Sequence, residues 1–249
     1  MRVLFALLTA TAALLPAPAG AAVTEEPVIR SVTMTPRSPV VGPSGSVRLV
    51  IEVIAAGIVG PDGVTIEVEP GTPAANGEPI PPLIQGDPEE PVTPGETPPP
   101  GREWETWRFV PDRELTRWYP AGRWTVTVTA RGADGVAVTG RASFWLRRET
   151  RFSAVRAVAG EAGVRVRGVL NRVDPQGYLD YAPFPGQPVD ILYRRDPAED
   201  WQTVASATTD AQGRFIRDVP GVGNGQWRIV FAGTGHYAGR RSIIHSTIS

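Results

Sequence analysis

Glu103 and Glu105, together with Ser44, Asp210, His236 and His245, are the side chains whose types raise the question of proton-transfer, nucleophilic or metal chemistry. Glycosidases work with two carboxyl groups about 5 to 10 Å apart across a sugar cleft. On one strand face, Glu103 and Glu105 would have α-carbons about 7 Å apart. Every E-x-E strand offers that separation, and Arg102 and Arg108 lie close in sequence, so solvated charge pairing is the expected role. Ser44 sits in Gly42-Pro43-Ser44-Gly45, which lacks the G-x-S-x-G frame and precedes a strand instead of a helix. The two histidines are nine positions apart with no H-E-x-x-H spacing, and there is no cysteine. The glycine run Gly221-Val222-Gly223-Asn224-Gly225 precedes a strand, whereas phosphate cradles precede helices. Asp210 lacks the D-x-D-x-D-G frame of a calcium loop. The expectation is no catalytic centre, no metal and no cofactor.

Aromatic residues are the better candidates for recognition. Trp104, Trp107, Trp118, Tyr119 and Trp124 fall within 21 residues, and Trp145 follows on a neighbouring strand. Alternation turns Trp107 with Phe109, and Trp124 with Val126, toward a core. Trp104 and Trp145 stand on the opposite faces of their strands. The binding candidates are therefore Trp104, Trp118, Tyr119 and Trp145, able to stack on sugar rings or seal against a protein. The competing expectation is packing against a proline-rich loop or the second half of the chain.

The elements that must position these residues read as strands. Apolar residues alternate with polar ones at period two, and helical spacing is nearly absent after the N-terminus. Expected strands in the first half are Val28 to Thr35, Ser46 to Ala55, Val64 to Val68, Glu103 to Val110, Arg123 to Arg131 and Val136 to Arg147. Asp-Gly turns punctuate them at Gly60-Pro61-Asp62-Gly63 and Gly132-Ala133-Asp134-Gly135. Glu69 to Gly101 holds eleven prolines and no basic residue, which predicts an extended surface loop. In the second half the expected strands are Phe152 to Ala157, Gly163 to Leu170, Pro188 to Arg194, Gln202 to Thr208, Arg214 to Val219, Gly225 to Ala232 and Arg241 to Ile248. The fold class this predicts is all-β, two tandem immunoglobulin-like β-sandwiches after an N-terminal signal peptide.

Residues 1–22 carry the signal features: Met1-Arg2, an apolar run from Val3 to Leu15, and small residues from Pro16 to Ala22. The domain expectation is 1–22 signal peptide, 23–150 a first sandwich with the proline-rich loop at 69–101, and 151–249 a second. A secreted chain without a membrane anchor after cleavage follows. Without cysteine, each sandwich depends on its hydrophobic core. All 25 basic residues are arginine. Thr24 to Thr150 has 12 Arg against 17 acids, net −5, and Arg151 to Ser249 has 12 Arg against 9 acids, net +3. An excess of +3 is too weak for a nucleic-acid footprint.

Three segments carry a family resemblance. Thr209-Asp210-Ala211-Gln212-Gly213-Arg214-Phe215 resembles the T-D-x-x-G-x-F turn of prealbumin-like and carboxypeptidase-regulatory-like sandwiches. Gly225-Gln226-Trp227-Arg228-Ile229-Val230-Phe231-Ala232-Gly233, followed by Tyr237, resembles the ending of many exported actinobacterial proteins. Gly122-Arg123-Trp124-Thr125-Val126-Thr127-Val128 is similar to the final hairpin of bacterial immunoglobulin-like domains. The resemblance implies fold and export, not activity. In the turn, Asp210 accepts backbone donors, Gly213 takes a conformation closed to other residues, and Phe215 returns the chain to the core.

Alternation in the second half turns Val164, Val166, Val189, Ile191, Tyr193, Trp227, Ile229 and Phe231 inward. It places Arg165, Arg167, Arg194 and Arg228 outward as an arginine-bearing face that an anionic glycan or a partner's acidic loop could use; the expectation is a solvated face with internal pairing to Asp190 and nearby acids. Together these features point to a secreted, non-enzymatic binding or structural protein whose partner is a cell-surface glycan or an extracellular protein. The alternatives are a carbohydrate-binding accessory module using exposed tryptophans and a carboxylate-based hydrolase.

Overall fold

The computed structural model describes residues 26–60, 62–71 and 103–248. The signal segment and nearly all of the proline-rich stretch lie outside the described residues. The first half contains β1 (Val28–Thr35), β2 (Val40–Val41), β3 (Val50–Ala56), β4 (Val64–Pro70), β5 (Trp104–Phe109), β6 (Gly122–Arg131) and β7 (Ala137–Arg148). The second contains β8 (Thr150–Gly160), β9 (Gly163–Val173), β10 (Tyr181–Pro183), β11 (Pro188–Arg194), β12 (Gln202–Thr208), β13 (Arg214–Pro220), β14 (Gln226–Phe231), β15 (Arg240–Arg241) and β16 (His245–Ile248). The described residues contain no helix, and none is long and apolar enough to cross a membrane.

In the first half a three-stranded sheet, β1-β3-β5, faces a four-stranded one, β2-β7-β6-β4. Period-two alternation explains the packing. Trp124, Val126, Val128 and Ala130 leave β6 on one face and meet Ile51, Val53 and Ala55 from β3, while the threonines between them stay on the outer face. Trp124 stacks on Phe144 with ring centroids 6.0 Å apart. The β6–β7 hairpin runs in register from Gly122↔Leu146 to Arg131↔Ala137. Its turn is held by Asp134 Oδ1, which accepts the Val136 amide at 2.9 Å. Glu69 and Pro70, expected in the loop, extend β4 instead. Among the described residues β4 pairs only with β6, and an edge strand tolerates a proline that a central one would not.

The second core gathers Val164, Val166 and Leu170 from β9, Val189, Ile191 and Tyr193 from β11, Phe215 and Val219 from β13, and Trp227, Ile229 and Phe231 from β14. One sheet is built on β8, β9 and β13, the other on β14, β11 and β12, and β16 joins them by pairing parallel with β8 and antiparallel with β14. The last expected strand, Arg241 to Ile248, is therefore two. Between β15 and β16 the buried Ser242 accepts the Ile229 amide on its Oγ at 3.0 Å, and Ile243 and Ile244 bulge outward. The break lets the chain change sheets. At the β12–β13 turn, Asp210 Oδ1 accepts the amides of Gln212 and Arg214 at 2.9 and 2.8 Å. Gly213 has φ +70°, and a Cβ there would meet the Leu170 carbonyl oxygen at 2.4 Å.

Candidate functional site

Glu149 alone separates β7 from β8. The backbone around it is bonded to both halves: the Glu149 amide donates to Val41 O at 2.9 Å, and Glu149 O accepts the Val173 amide at 3.0 Å. The Arg148 amide donates to His236 O, and Arg148 O accepts from Ala238, each at 2.9 Å. The Thr150 hydroxyl adds a bond to Ala238 O at 2.8 Å. A strand linker so bonded on both sides has few free torsions.

Side chains reinforce the join. Arg148 reaches back into the first half and donates to Arg117 O at 3.1 and 3.2 Å and to Tyr119 O at 3.1 Å. The segment it grips is fixed at its other end as well. Leu115 is buried in the first core and exchanges backbone bonds with Val47, and Glu114 accepts from Ser46 and Arg48. Hydrogen bonds from both donors hold the Glu114 carboxyl below the usual carboxylate range. Tyr119 meets Trp124 edge-on at 6.0 Å, and Trp124 Nε1 donates to Pro120 O.

Facing this segment is the loop from Asp174 to Asp180. Asp174 is buried, and its two carboxylate oxygens accept the amides of Gln176 and Leu179, both at 3.0 Å. Those amides, Gln176 first, hold its pKa below the ordinary range. Arg117 bridges the two segments, donating to Leu179 O at 3.3 Å and standing 3.9 Å from Asp180. Its guanidinium also lies 4.6 Å from the Trp118 ring. Gly177 (φ +78°) allows close approach, because a Cβ there would sit 2.2 Å from Trp118 Cη2. Trp118 is 63 % exposed, and beside it Tyr178 is 84 % and Leu179 56 % exposed. The result is a preorganised aromatic surface contributed by both halves.

The other sequence candidates are dispersed. Trp104 and Trp145 lie on the outer faces of opposite sheets, each half-buried and each with an arginine near its ring, Arg30 at 5.4 Å and Arg147 at 5.7 Å. Tyr119 packs against the first core. No single plane collects the four. Tyr178, Leu179, Arg117 and Arg148 escaped the sequence reading, although Asp174-Pro175-Gln176-Gly177 carries a turn signal that marks where Tyr178 would be displayed. Glu103 and Glu105 are both exposed on and beside β5. Among the described residues, no three of His, Cys, Asp and Glu are grouped so as to hold a metal.

The expected single arginine face divides into two. Arg165 and Arg167 lie on β9, whereas Arg194 and Arg228 belong to β11 and β14 in the opposite sheet. Asp190 forms no ion pair within 4.0 Å among the described residues; Asp218 pairs with Arg165 instead, at 2.7 Å. That bond lowers the Asp218 pKa and raises that of Arg165. The physical reason is register, since a sandwich has two outward surfaces and alternation alone does not say which strand joins which sheet.

No protein-family model matches the chain, and no curated protein matches it. Among solved structures, a tetra-tandem repeat from the extending region of a large adhesion protein is similar at 11 % identity and TM-score 0.30, over 88 % of this chain and 49 % of that one. Immunoglobulin domains 1–4 of Sidekick-1 are similar at 10 % identity and TM-score 0.30, over 90 % and 49 %. Dimeric latent PorU from Porphyromonas gingivalis is similar at 11 % identity and TM-score 0.28, over 94 % and 21 %. The chain thus spans about half or less of each. The all-β, tandem-sandwich architecture rests on the strand pairing and the two cores above.

Proposed function

We infer that the chain is an exported, non-catalytic binding or structural protein whose modules, 23–150 and 151–249, act as one rigid unit. The observation that carries this reading is the junction, where a single residue links two strands and Arg148 grips the carbonyls of Arg117 and Tyr119. A fixed angle between sandwiches suits a protein that holds a surface at a set distance or presents one epitope from two modules. Its partner is a cell-surface glycan or an extracellular protein. Small-angle scattering on residues 23–249 tests the rigidity: one orientation fits the native profile, and Arg148→Ala, losing three hydrogen bonds worth about 1 to 3 kcal/mol together, broadens the distance distribution. A native profile that needs many orientations overturns the reading.

Exposure of Trp118 supports a second reading, a carbohydrate-binding module in which Trp118 and Tyr178 stack on sugar rings. In a screen of cell-wall polysaccharides, Trp118→Ala should abolish capture that Trp104→Ala and Trp145→Ala leave intact. Equal retention by all three variants removes the aromatic platform.

A further inference from the structure

The outer face of the sheet containing β8, β9 and β13 carries arginines whose guanidinium groups have no partner among the described residues. Arg156 on β8 lies directly opposite Arg167 on β9, and Ile216 on β13 lies opposite Arg167 on its other side. One row along, Arg165 pairs with Asp218; in the other direction, Arg214 stands opposite Val169. Arg156, Arg167 and Arg214 are all exposed. Among the described residues none of the three guanidinium groups has a carboxylate within 4.0 Å or a hydrogen bond, although the Arg214 amide donates to Asp210 Oδ1 at 2.8 Å. Like charges directly opposite in a strand pair destabilise it, so this face gives up stability to keep Arg156 and Arg167 together.

The opposite sheet shows what internal use of arginine looks like. Arg194 and Arg228 each hold a guanidinium 4.6 Å from the Trp201 ring, and Arg194 also donates to Gln226 and to Pro197 O. Among the described residues nothing comparable occupies the guanidinium groups of Arg156, Arg167 or Arg214. Their spacing is set by the sheet, about 5 Å between strands and about 7 Å along one. Such a grid meets repeating anionic groups, and each planar guanidinium takes a carboxylate, sulfate or phosphate with two parallel hydrogen bonds. Ile216, 63 % exposed at the centre of the grid, offers an apolar surface for the C–H side of a sugar ring.

We propose that this face binds a linear acidic polysaccharide, with Arg156, Arg167 and Arg214 on its anionic groups and Ile216 beneath a sugar ring. A flat face suits an extended polymer better than a compact small molecule. The surface is separate from Trp118 and does not depend on the rigid junction.

The test is calorimetry on residues 23–249 with dextran sulfate, polygalacturonate, neutral dextran and polyglutamate, at low and raised salt. Both anionic glycans should bind, with affinity falling as salt screens the face, and neutral dextran should not. Arg167→Glu turns the repulsive pair with Arg156 into an attractive one, so it should weaken glycan binding roughly tenfold or more while raising the melting temperature. Arg113→Glu, an exposed arginine of the first half, should change affinity less than about twofold. Three results would overturn the proposal. One is no binding of either anionic glycan at low salt; another is polyglutamate binding as tightly as the glycans, which points to an acidic protein. The third is concentration-dependent dimerisation abolished by Arg167→Glu, which assigns the face to a second copy of the chain.

Discussion

The two halves build a cysteine-free sandwich in different ways. The first stacks two separate sheets, and among the described residues its edge strands β4 and β5 each pair on one side only. The second is zipped along one side, because β16 pairs with β8 in one sheet and β14 in the other. Its largest core residue is tied to that zip: Trp227 is fully buried and its Nε1 donates to Thr247 Oγ1 at 2.9 Å. In the first half the matching residue, Trp124, bonds to a loop carbonyl, that of Pro120, at 2.9 Å. The first half therefore relies on face-to-face packing, whereas the second adds backbone closure by a strand of four residues.

The sharpest way to break that comparison is to remove the closing strand. Ending the chain at Ile244 strips the pairings of Trp227 with His245 and of Ala157 with Thr247, and leaves Trp227 Nε1 buried without an acceptor. The expected outcome is loss of the cooperative unfolding transition of the second half, with first-half amide resonances retained in a nitrogen–proton correlation spectrum. A truncated protein with both transitions intact would mean that closure contributes little. Next in size are the core truncations. Trp227→Ala and Trp124→Ala should each cost about 3 to 5 kcal/mol, the first in the second-half transition and the second in the first-half transition. Denaturant unfolding followed by half-specific resonances separates them. If both variants shift one common transition, the junction couples the halves into a single folding unit and the comparison must be redrawn at the level of the whole chain.

How much of this was legible depends on whether a residue's role is set locally. Pro188 to Arg194 and Gln202 to Thr208 are strands over the bounds that alternation marks, the first with an unbroken inward set and the second despite a bulge at Val204, where two consecutive residues pack on the core. Val40–Val41 and Tyr181–Pro183 escape, being too short to show a period. The sheet switch at Ser242 escapes because it is a decision about distant partners, Ile229 and β8, which no local pattern encodes. The candidate site divides the same way. Trp124 and Trp107 pack on the first core as alternation predicts. Trp118 sits on a loop without periodicity, and its exposure follows from Arg148, Arg117 and Gly177, two of which lie in other parts of the chain. The arginine faces needed strand order, which alternation does not contain.

The smallest expected effect separates the halves by pH. Both histidines of the chain lie in the second half. His245 is partly buried on β16, its Nε2 has no hydrogen-bond partner among the described residues, and burial holds its pKa below the ordinary histidine value. The unfolded chain takes up this proton near pH 6.5, before the folded one does. Stability from the neutral imidazole is thus complete above that pH and declines as the pH falls through it toward the lower folded value. Asp174 does not confuse this window. Its depressed carboxyl pKa makes its contribution full above the unfolded value of about 3.9, to be lost only at more acidic pH. Between pH 7 and 5, then, the second-half transition should soften modestly while the first-half transition holds steadier, and His245→Gln should remove most of the difference. A second-half slope unchanged by that substitution would place the sensitive group elsewhere and leave β16 closure independent of pH.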